Sequence, residues 1–351
     1  MSWVSELARP DIVALKAYEH ASWEPGLTRL HANELPWRAA GDESLSGLNR
    51  YPEPQPKTLI GRLAQIYKVP AEYLLVTRGS DEAIDLLVRA FCRAGADAVL
   101  LCPPTFGMYA LAAQIQGANV HRVPLSMEEG FALQPQALLS HCTSDVKLVF
   151  LCSPNNPTGN LLAESAILEV IDALASRALV IVDEAYIEFS TRASLAALVV
   201  GRPQLAVLRT LSKAHGLAGA RLGTLIGDPE VIALVRKVIA PYAIPQLTLE
   251  TVLASLSASH LSALQGRLAH VREERQRISD ALERLPGIKL VYPSEANFLL
   301  VRFEDPAGAL ARAREARLLV RDARAYPGLN DALRVTIGTA AQNDALLEAW
   351  Q

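Results

Sequence analysis

An asparagine, an aspartate and a lysine follow the ends of three successive apolar runs in the middle of the chain. Asn156 lies in SPNNPTG after the first run, Asp183 begins DEAY after the second, and Lys213 ends RTLSK after the third. A lysine amine forms Schiff bases with carbonyl compounds. A carboxylate beside the ring nitrogen of a pyridine-type cofactor keeps that nitrogen protonated, so that the ring accepts electrons. These residue types therefore indicate chemistry at an amine-bearing carbon.

A second set of residues near the same strand ends has the chemistry of an anion site. Ser80 opens a helical stretch after a fourth apolar run, and Ser212 and Arg221 flank the glycine-rich segment that follows Lys213. Amides at a helix start, hydroxyls and an arginine are the groups that bind a phosphate. Each segment alone also fits a turn, a helix cap or an exposed loop. Those interpretations would have to hold independently at four strand ends, so together the segments predict a pyridoxal phosphate site.

The elements that carry these residues alternate between β-rich and helical stretches from about residue 72 to residue 224. This alternation predicts parallel strands with crossover helices, and ligands bind beyond the carboxyl ends of such strands. The predicted strands are residues 73–77, 98–102, 119–124, 146–152, 179–183, 205–210 and 223–226, and the predicted helices are residues 81–92, 109–116, 163–175 and 229–239.

The pattern changes after residue 241 and predicts a smaller α+β domain. We expect a long helix over residues 247–285, broken near His260, followed by strands at 289–292, 297–303, 318–320 and 333–337 and helices at 306–316 and 341–350. The predicted organisation is an N-terminal arm (1–47), a large cofactor-binding domain (48–240) and a small C-terminal domain (241–351).

Composition excludes several classes of protein. The chain has 351 residues, half of them hydrophobic, and a formal net charge of −3, which argues against nucleic-acid binding through bulk charge. No apolar run approaches the roughly 18 residues that span a membrane, and the first residues lack the features of a signal peptide, so we expect a cytoplasmic protein without a membrane partner. The four cysteines lack metal-site spacing, and we expect no metal.

The ordered motifs resemble those of the fold-type I pyridoxal-phosphate aminotransferases, and most closely those of the histidinol-phosphate aminotransferase family. The resemblance covers nearly the whole chain and rests on HANE (31–34), RYPEPQ (50–55), RGSDEAIDLL (78–87), PTFGMY (104–109), CSPNNPTG, VDEAYIEF, RTLSKAHGLAGARLG and LRVTIGT (333–339). It implies an α/β fold with a mostly parallel seven-stranded sheet between helices, a smaller α+β C-terminal domain, and a homodimer.

The resemblance also implies roles for individual residues toward pyridoxal 5'-phosphate. Lys213 would carry the cofactor and act as the base, Asp183 would pair with the ring nitrogen, and Tyr186 and Asn156 would hold the ring's 3-oxygen. Phe106 would lie on the ring, where many relatives have tyrosine. The residues implied at the phosphate are Ser80, the amides of Asp81 and Glu82, Ser212, Arg221 and, from the other subunit, Tyr51.

Substrate contacts are implied for Arg321, Arg334 and Asn156, and in the N-terminal arm for Tyr18 and Asn33. A guanidinium accepts either a carboxylate or a phosphate through paired hydrogen bonds. One pair of arginines can therefore serve both glutamate and a phosphorylated amine, although the sequence does not say which arginine takes which anion.

The activity implied is reversible, ping-pong transamination of L-histidinol phosphate and 2-oxoglutarate to imidazole acetol phosphate and L-glutamate, in histidine biosynthesis. Two alternatives stay open: an aromatic amino acid aminotransferase of the same subgroup and a lyase of the threonine-phosphate decarboxylase type. A non-catalytic effector-binding module is disfavoured, because residues 1–47 show no basic helix-turn-helix pattern. His215 stands where the family usually has Phe or Tyr, and we expect it to be structural.

Overall fold

The computed structural model describes residues 2–21, 24 and 26–351; Met1, Ser22, Trp23 and Pro25 of the predicted arm lie outside these residues. A seven-stranded sheet forms the centre of the fold, in the order β1-β7-β6-β5-β4-β2-β3. Its strands are β1 (Leu74–Thr77), β2 (Ala98–Leu101), β3 (Asn119–Arg122), β4 (Val146–Cys152), β5 (Leu179–Asp183), β6 (Leu205–Thr210) and β7 (Gly223–Ile226). Only β7 runs against its neighbours, β1 and β6, so the prediction of a mostly parallel sheet is confirmed.

Helices cover both faces of this sheet. In the first two-thirds of the chain they are α1 (Trp3–Leu7), α2 (Pro10–Ala14), α3 (Lys57–Tyr67), α4 (Ser80–Phe91), α5 (Met108–Gln116), α6 (Pro135–His141), α7 (Glu164–Ala173) and α8 (Pro229–Arg236). Successive strand residues point to opposite faces. Phe150 packs with the cluster that includes α4, α5 and α8, whereas its neighbour Val149 packs with α3, α6 and α7. Burial on both faces explains why the central strands are continuous apolar runs in the sequence.

The C-terminal part folds around a separate four-stranded antiparallel sheet in the order β10-β11-β9-β8. Its elements are α9 (Gln246–Ser255), α10 (Ala258–Leu282), β8 (Ile288–Val291), β9 (Phe298–Phe303), α11 (Pro306–Glu315), β10 (Arg321–Asp322), β11 (Ala332–Thr336) and α12 (Ala340–Trp350). One face packs against α10, α11 and α12 in a core of its own that includes Phe303 and Trp350. None of the helices in the described residues is long and apolar enough to cross a membrane.

One predicted strand in this part was wrong. The strand predicted at residues 318–320 is instead β10 at Arg321–Asp322, where pairing with β11 defines it. The break predicted near His260 in the long helix is present at residues 256–257, since α9 ends at Ser255 and α10 begins at Ala258 with Ser257 as its N-cap residue. The domain boundaries at residues 47 and 240 remain a proposal.

Candidate active site

The strand ends of the large sheet border a cavity of about 330 Å³, which residues of the small-sheet part also line. On the large-sheet side, the carboxyl ends of β4, β5 and β6 and the start of α4 contribute lining residues. Eleven of the fifteen predicted site residues line the cavity: Ser80, Asp81, Phe106, Asn156, Asp183, Tyr186, Ser212, Lys213, Arg221, Arg321 and Arg334. Cys152, Ala185, Thr210 and Tyr326 complete the wall.

Asp183, the last residue of β5, is a buried carboxylate. Its Oδ2 accepts a hydrogen bond from the Tyr109 hydroxyl at 2.7 Å, and its Oδ1 accepts one from the Ala185 amide at 3.1 Å. Burial raises the pKa of Asp183 from 3.8 to about 6, and the Tyr109 hydrogen bond opposes that rise. Among the described residues, none of the ion pairs involves Asp183. A cation entering the cavity would therefore satisfy it, since buried charges are normally paired.

Lys213 lies opposite this carboxylate on the loop between β6 and β7. Its Nζ is 5.7 Å from the centre of the Tyr186 ring. Desolvation of the amine, followed by repulsion from Arg334, lowers the pKa of Lys213 below its ordinary value of 10.5. A lowered pKa increases the fraction of neutral amine, which is the form that acts as a nucleophile or a base.

The start of α4 and the Arg221 side chain together form a candidate anion-binding site, which we call the anion cradle. Gly79 occupies its N-cap position and provides no side chain to accept from the first amides of the helix. A Cβ on Gly79 would lie 2.7 Å from Arg221 Nη2, so the glycine gives the guanidinium room to lie against the helix start. Arg221 also pairs with the Asp81 carboxylate at 3.2 Å. Backbone donors, the helix dipole and an arginine thus converge at one point, as phosphate binding requires.

The loop after β6 brings a second hydroxyl to the same cradle. Arg221 Nη1 donates to Ser212 Oγ at 3.4 Å, and Thr210 donates to the same oxygen at 3.0 Å. Strand β7 passes directly against α4, since a Cβ on Gly223 would lie 2.4 Å from the Ser80 nitrogen. The lack of a side chain at Gly223 is therefore what allows the sheet to reach the anion cradle.

Arg334 on β11 connects the small sheet to the cavity wall. Its Nη1 donates a hydrogen bond to the side-chain oxygen of Asn156, and its guanidinium lies 5.1 Å from the centre of the Phe298 ring. Its Nε is buried and has no hydrogen-bond partner among the described residues. The amide nitrogen of Asn156 in turn donates to the Tyr186 hydroxyl at 3.5 Å. Burial raises the pKa of Tyr186, so this phenol stays protonated near neutral pH.

Arg321 lies directly opposite Arg334 in the register of β10 and β11. Directly opposed residues of an antiparallel pair point to the same face, where like charges repel. Both arginines line the cavity, one exposed and one half-buried. A doubly charged anion between them would relieve that repulsion.

The other four predicted site residues do not line this cavity within the single chain. Tyr51 is exposed and stacks on Tyr242 with ring centres 4.6 Å apart, and Tyr18 contacts His20, which also packs on Tyr242. Asn33 is exposed with a positive φ of 57°. Glu82 is in the first turn of α4, where its carboxylate pairs with Arg78. Their predicted roles stay predictions.

Two features connect the remaining motifs to the fold. Glu34 of HANE accepts hydrogen bonds from Arg29, Arg50 and the Tyr51 amide, so this motif fixes the RYPEPQ segment.

The largely buried His215 lies 4.0 Å from Glu188, and burial lowers its pKa, which keeps the imidazole neutral at pH 7. A neutral, packed imidazole agrees with the structural role expected from the sequence.

Sequence reasoning assigned no role to Tyr109 and Tyr326. Tyr109 ends the PTFGMY motif but resembles any other core aromatic in the sequence, and only its contact with Asp183 distinguishes it. Tyr326 follows Arg321 on a loop and reaches the cavity because β10 and β11 fold back on each other.

The sequence and the fold of this chain are both similar to those of known aminotransferases. The family model "Aminotransferase class I and II" matches residues 30–349. A histidinol-phosphate aminotransferase of Xanthomonas axonopodis pv. citri (strain 306) is 48% identical, over 100% of this chain and 97% of that protein. The solved histidinol-phosphate aminotransferase of Sinorhizobium meliloti, in complex with pyridoxal-5'-phosphate, has the same fold, with a TM-score of 0.78 at 23% identity over 86% of this chain and 82% of that one. An L-threonine-O-3-phosphate decarboxylase from Porphyromonas gingivalis also superposes, with a TM-score of 0.74 at 26% identity over 86% and 90%.

Proposed function

The chain belongs to the class I and II aminotransferases and, within them, to the histidinol-phosphate aminotransferase family of histidine biosynthesis. From this membership and the geometry of the cavity we propose its reaction. The proposed reaction transfers the amino group of L-histidinol phosphate to 2-oxoglutarate, giving imidazole acetol phosphate and L-glutamate by a reversible ping-pong cycle. The observation that carries the proposal is one cavity that is lined both by Lys213 and Asp183 and by the opposed arginines Arg321 and Arg334.

The residues present fit pyridoxal 5'-phosphate. Asp183 is a buried carboxylate without an ion-pair partner among the described residues, which suits a protonated ring nitrogen. The uncapped start of α4, with Ser80, Ser212 and Arg221, suits the cofactor phosphate. When bound, the cofactor supplies a carbonyl for the amino group and a ring that delocalises the electrons of the substrate carbon.

The residues that line the cavity then have defined roles in the reaction. Lys213 would hold the cofactor through its amine, and the same amine, when free and neutral, would accept the proton of the nitrogen-bearing substrate carbon and return it to the carbon derived from the cofactor carbonyl. Its lowered pKa favours the neutral form that accepts this proton. Asp183 would keep the ring nitrogen protonated, and Tyr186 and Asn156 would hold the ring's 3-oxygen.

The arginines place both substrates in the same position. The buried Nε–H of Arg334 has no hydrogen-bond partner among the described residues, and Arg321 faces Arg334 across the strand pair. Two guanidinium groups match the phosphate dianion of histidinol phosphate and also the second carboxylate of glutamate. Orientation by these groups holds the reacting carbon next to Lys213 and contributes to the rate.

We further propose that the working enzyme is a cytoplasmic homodimer. Tyr51 and Tyr18 are exposed on the single chain, together with Leu30, Leu35 and Trp37 of the same N-terminal segment. Exposed apolar clusters of this kind mark interaction sites. A second copy covering this surface would bring Tyr51 to the cofactor phosphate of its partner, with Tyr18 and Asn33 near the substrate.

The test is a single-turnover reaction of the protein loaded with cofactor, followed by absorbance. We expect L-histidinol phosphate to convert the cofactor to its amine form much faster than L-phenylalanine does. Equal rates would instead assign an aromatic amino acid aminotransferase. Release of carbon dioxide from threonine phosphate without an acceptor would assign a decarboxylase. Lys213→Ala should abolish turnover, whereas the exposed Lys57→Ala should not.

A further inference from the structure

Tyr109 is a completely buried phenol held between two aromatic rings. It belongs to the first turn of α5 and stacks on Phe150 with ring centres 4.9 Å apart and planes at 11°. The ring of Phe106, which lines the cavity, meets it edge to face at 5.6 Å. The side chain is completely buried between these rings, so packing fixes the position of its hydroxyl.

The hydroxyl is directed at Asp183. It donates to Oδ2 at 2.7 Å while the Ala185 amide donates to Oδ1 at 3.1 Å, so among the described residues each carboxylate oxygen has one donor. A carboxylate accepts about four hydrogen bonds. Two donors on two oxygens fix the plane of the group and leave its remaining lone pairs for a ligand in the cavity.

We propose that Tyr109 is a positioning residue, which orients the Asp183 carboxylate and keeps it ionised so that it pairs with the protonated ring nitrogen of the bound cofactor. This inference rests on the proposed function, because it assigns Asp183 to that nitrogen. Tyr109 acts through Asp183, since the Asp183 side chain lines the cavity and Tyr109 does not.

The charges around Asp183 support this role. Burial raises its pKa, the facing Asp81 on α4 raises it further, and Lys213 on the loop after β6 lowers it. The buried Cys152 at the end of β4 and Tyr186 also face this group, and burial raises the pKa of both, so they stay uncharged at neutral pH. The Tyr109 hydrogen bond is the largest influence that favours the anion. Without it, Asp183 would take up a proton at a higher pH.

The experiment measures the dissociation constant of pyridoxal 5'-phosphate as a function of pH. Tyr109→Phe keeps the stacked ring and removes only the hydroxyl. We expect at least about tenfold weaker binding at pH 7, since hydrogen bonds to charged groups are among the stronger ones. We also expect the acid-side loss of affinity to begin about one pH unit higher, because the anion has lost its main donor. Tyr67→Phe, at a buried tyrosine of the other core cluster, should match the unaltered protein.

A second variant separates positioning from packing. In an Asp183→Asn background, the further change Tyr109→Phe should alter affinity less than about threefold and leave no acid-side shift, because the group on which it acts no longer titrates. Circular dichroism checks that each variant is folded.

Either of two results would overturn the proposal. The first is an unchanged pH profile in Tyr109→Phe. The second is a loss of affinity from Tyr109→Phe that is as large in the Asp183→Asn background as in the unaltered protein. These measurements need no substrate, so a failure of the proposed reaction with histidinol phosphate is distinguished from a failure of this inference.

Discussion

Arg334 of the small sheet donates a hydrogen bond to the Asn156 side chain, in the loop that follows β4 of the large sheet. This contact joins the part of the cavity that would hold the substrate anion to the part that would hold the cofactor ring. A change at Arg334 therefore acts on both.

Arg334→Ala should lower kcat/KM for histidinol phosphate at least about 30-fold, because it removes a half-buried, hydrogen-bonded charge from its anion. Affinity for the cofactor should change only a few-fold. Steady-state kinetics with the phosphorylated amine and with glutamate checks both statements. Arg314→Ala, at an exposed position of α11, is the matched control. Equal kinetics of the two variants would remove Arg334 from the substrate site.

Gly223→Ala should separate β7 from the start of α4. The added Cβ would meet the Ser80 nitrogen at 2.4 Å and the Gly79 carbonyl carbon at 2.5 Å, and neither backbone atom can move independently of its element. We expect a stability loss of about 1–3 kcal/mol, as in other overpacked sites, and weaker cofactor binding. Thermal unfolding and cofactor titration measure these effects. Gly219→Ala, whose new Cβ would have no atom of the described residues within 4 Å, should be neutral.

Asp183 should make the cofactor-free protein less stable as the pH rises. Its folded pKa of about 6 exceeds its ordinary 3.8, so the folded state binds this proton more tightly than the unfolded chain. The stabilisation is present below about pH 4 and is lost as the pH rises to about 6, a difference of about 3 kcal/mol at most.

Asp183→Asn should remove this loss and leave the cofactor-free protein more stable than the unaltered one at pH 7.5. Denaturant unfolding at pH 4.5 and pH 7.5 tests it, with the exposed Asp172→Asn as control. If the variant is no more stable at pH 7.5, the ionised Asp183 carboxylate does not destabilise the cofactor-free protein.

Tyr51 should complete the site of the partner subunit. Mixed dimers of Tyr51→Ala and Lys213→Ala subunits contain one site with both original residues, so co-expression should restore about a quarter of the normal activity. Each variant alone should remain below that value. Co-expression without recovery, while light scattering shows mixed dimers, would place Tyr51 outside the shared site.

Much of this site follows from the sequence because parallel strands deliver their carboxyl-end residues to one edge. Asp183 and Lys213 come together for that reason, although 30 positions separate them along the chain. The antiparallel direction of β7 could not be predicted from the sequence, since a short apolar strand has the same pattern whichever way it runs. Two-residue β10 exists only through its pairing with Arg334 and Leu333.

Tyr109 was missed for a different reason. Its ring is buried like any core aromatic. The role of its hydroxyl depends on α5, which places it within hydrogen-bond distance of Asp183. Tyr51 and Tyr18 are exposed on the single chain, so the roles that we propose for them require a second subunit.

The reversal of β7 closes the segment between β6 and β7 at both ends. Thr210 pairs with Gly223, and the Leu211 amide donates to the Leu222 carbonyl at 3.0 Å. Lys213, Ser212 and Arg221 all lie on this closed loop. Its length therefore sets the spacing between the amine and the phosphate-binding groups, and an inserted or deleted residue would disturb both together. A substitution within this loop leaves that spacing unchanged, whereas a change in its number of residues does not.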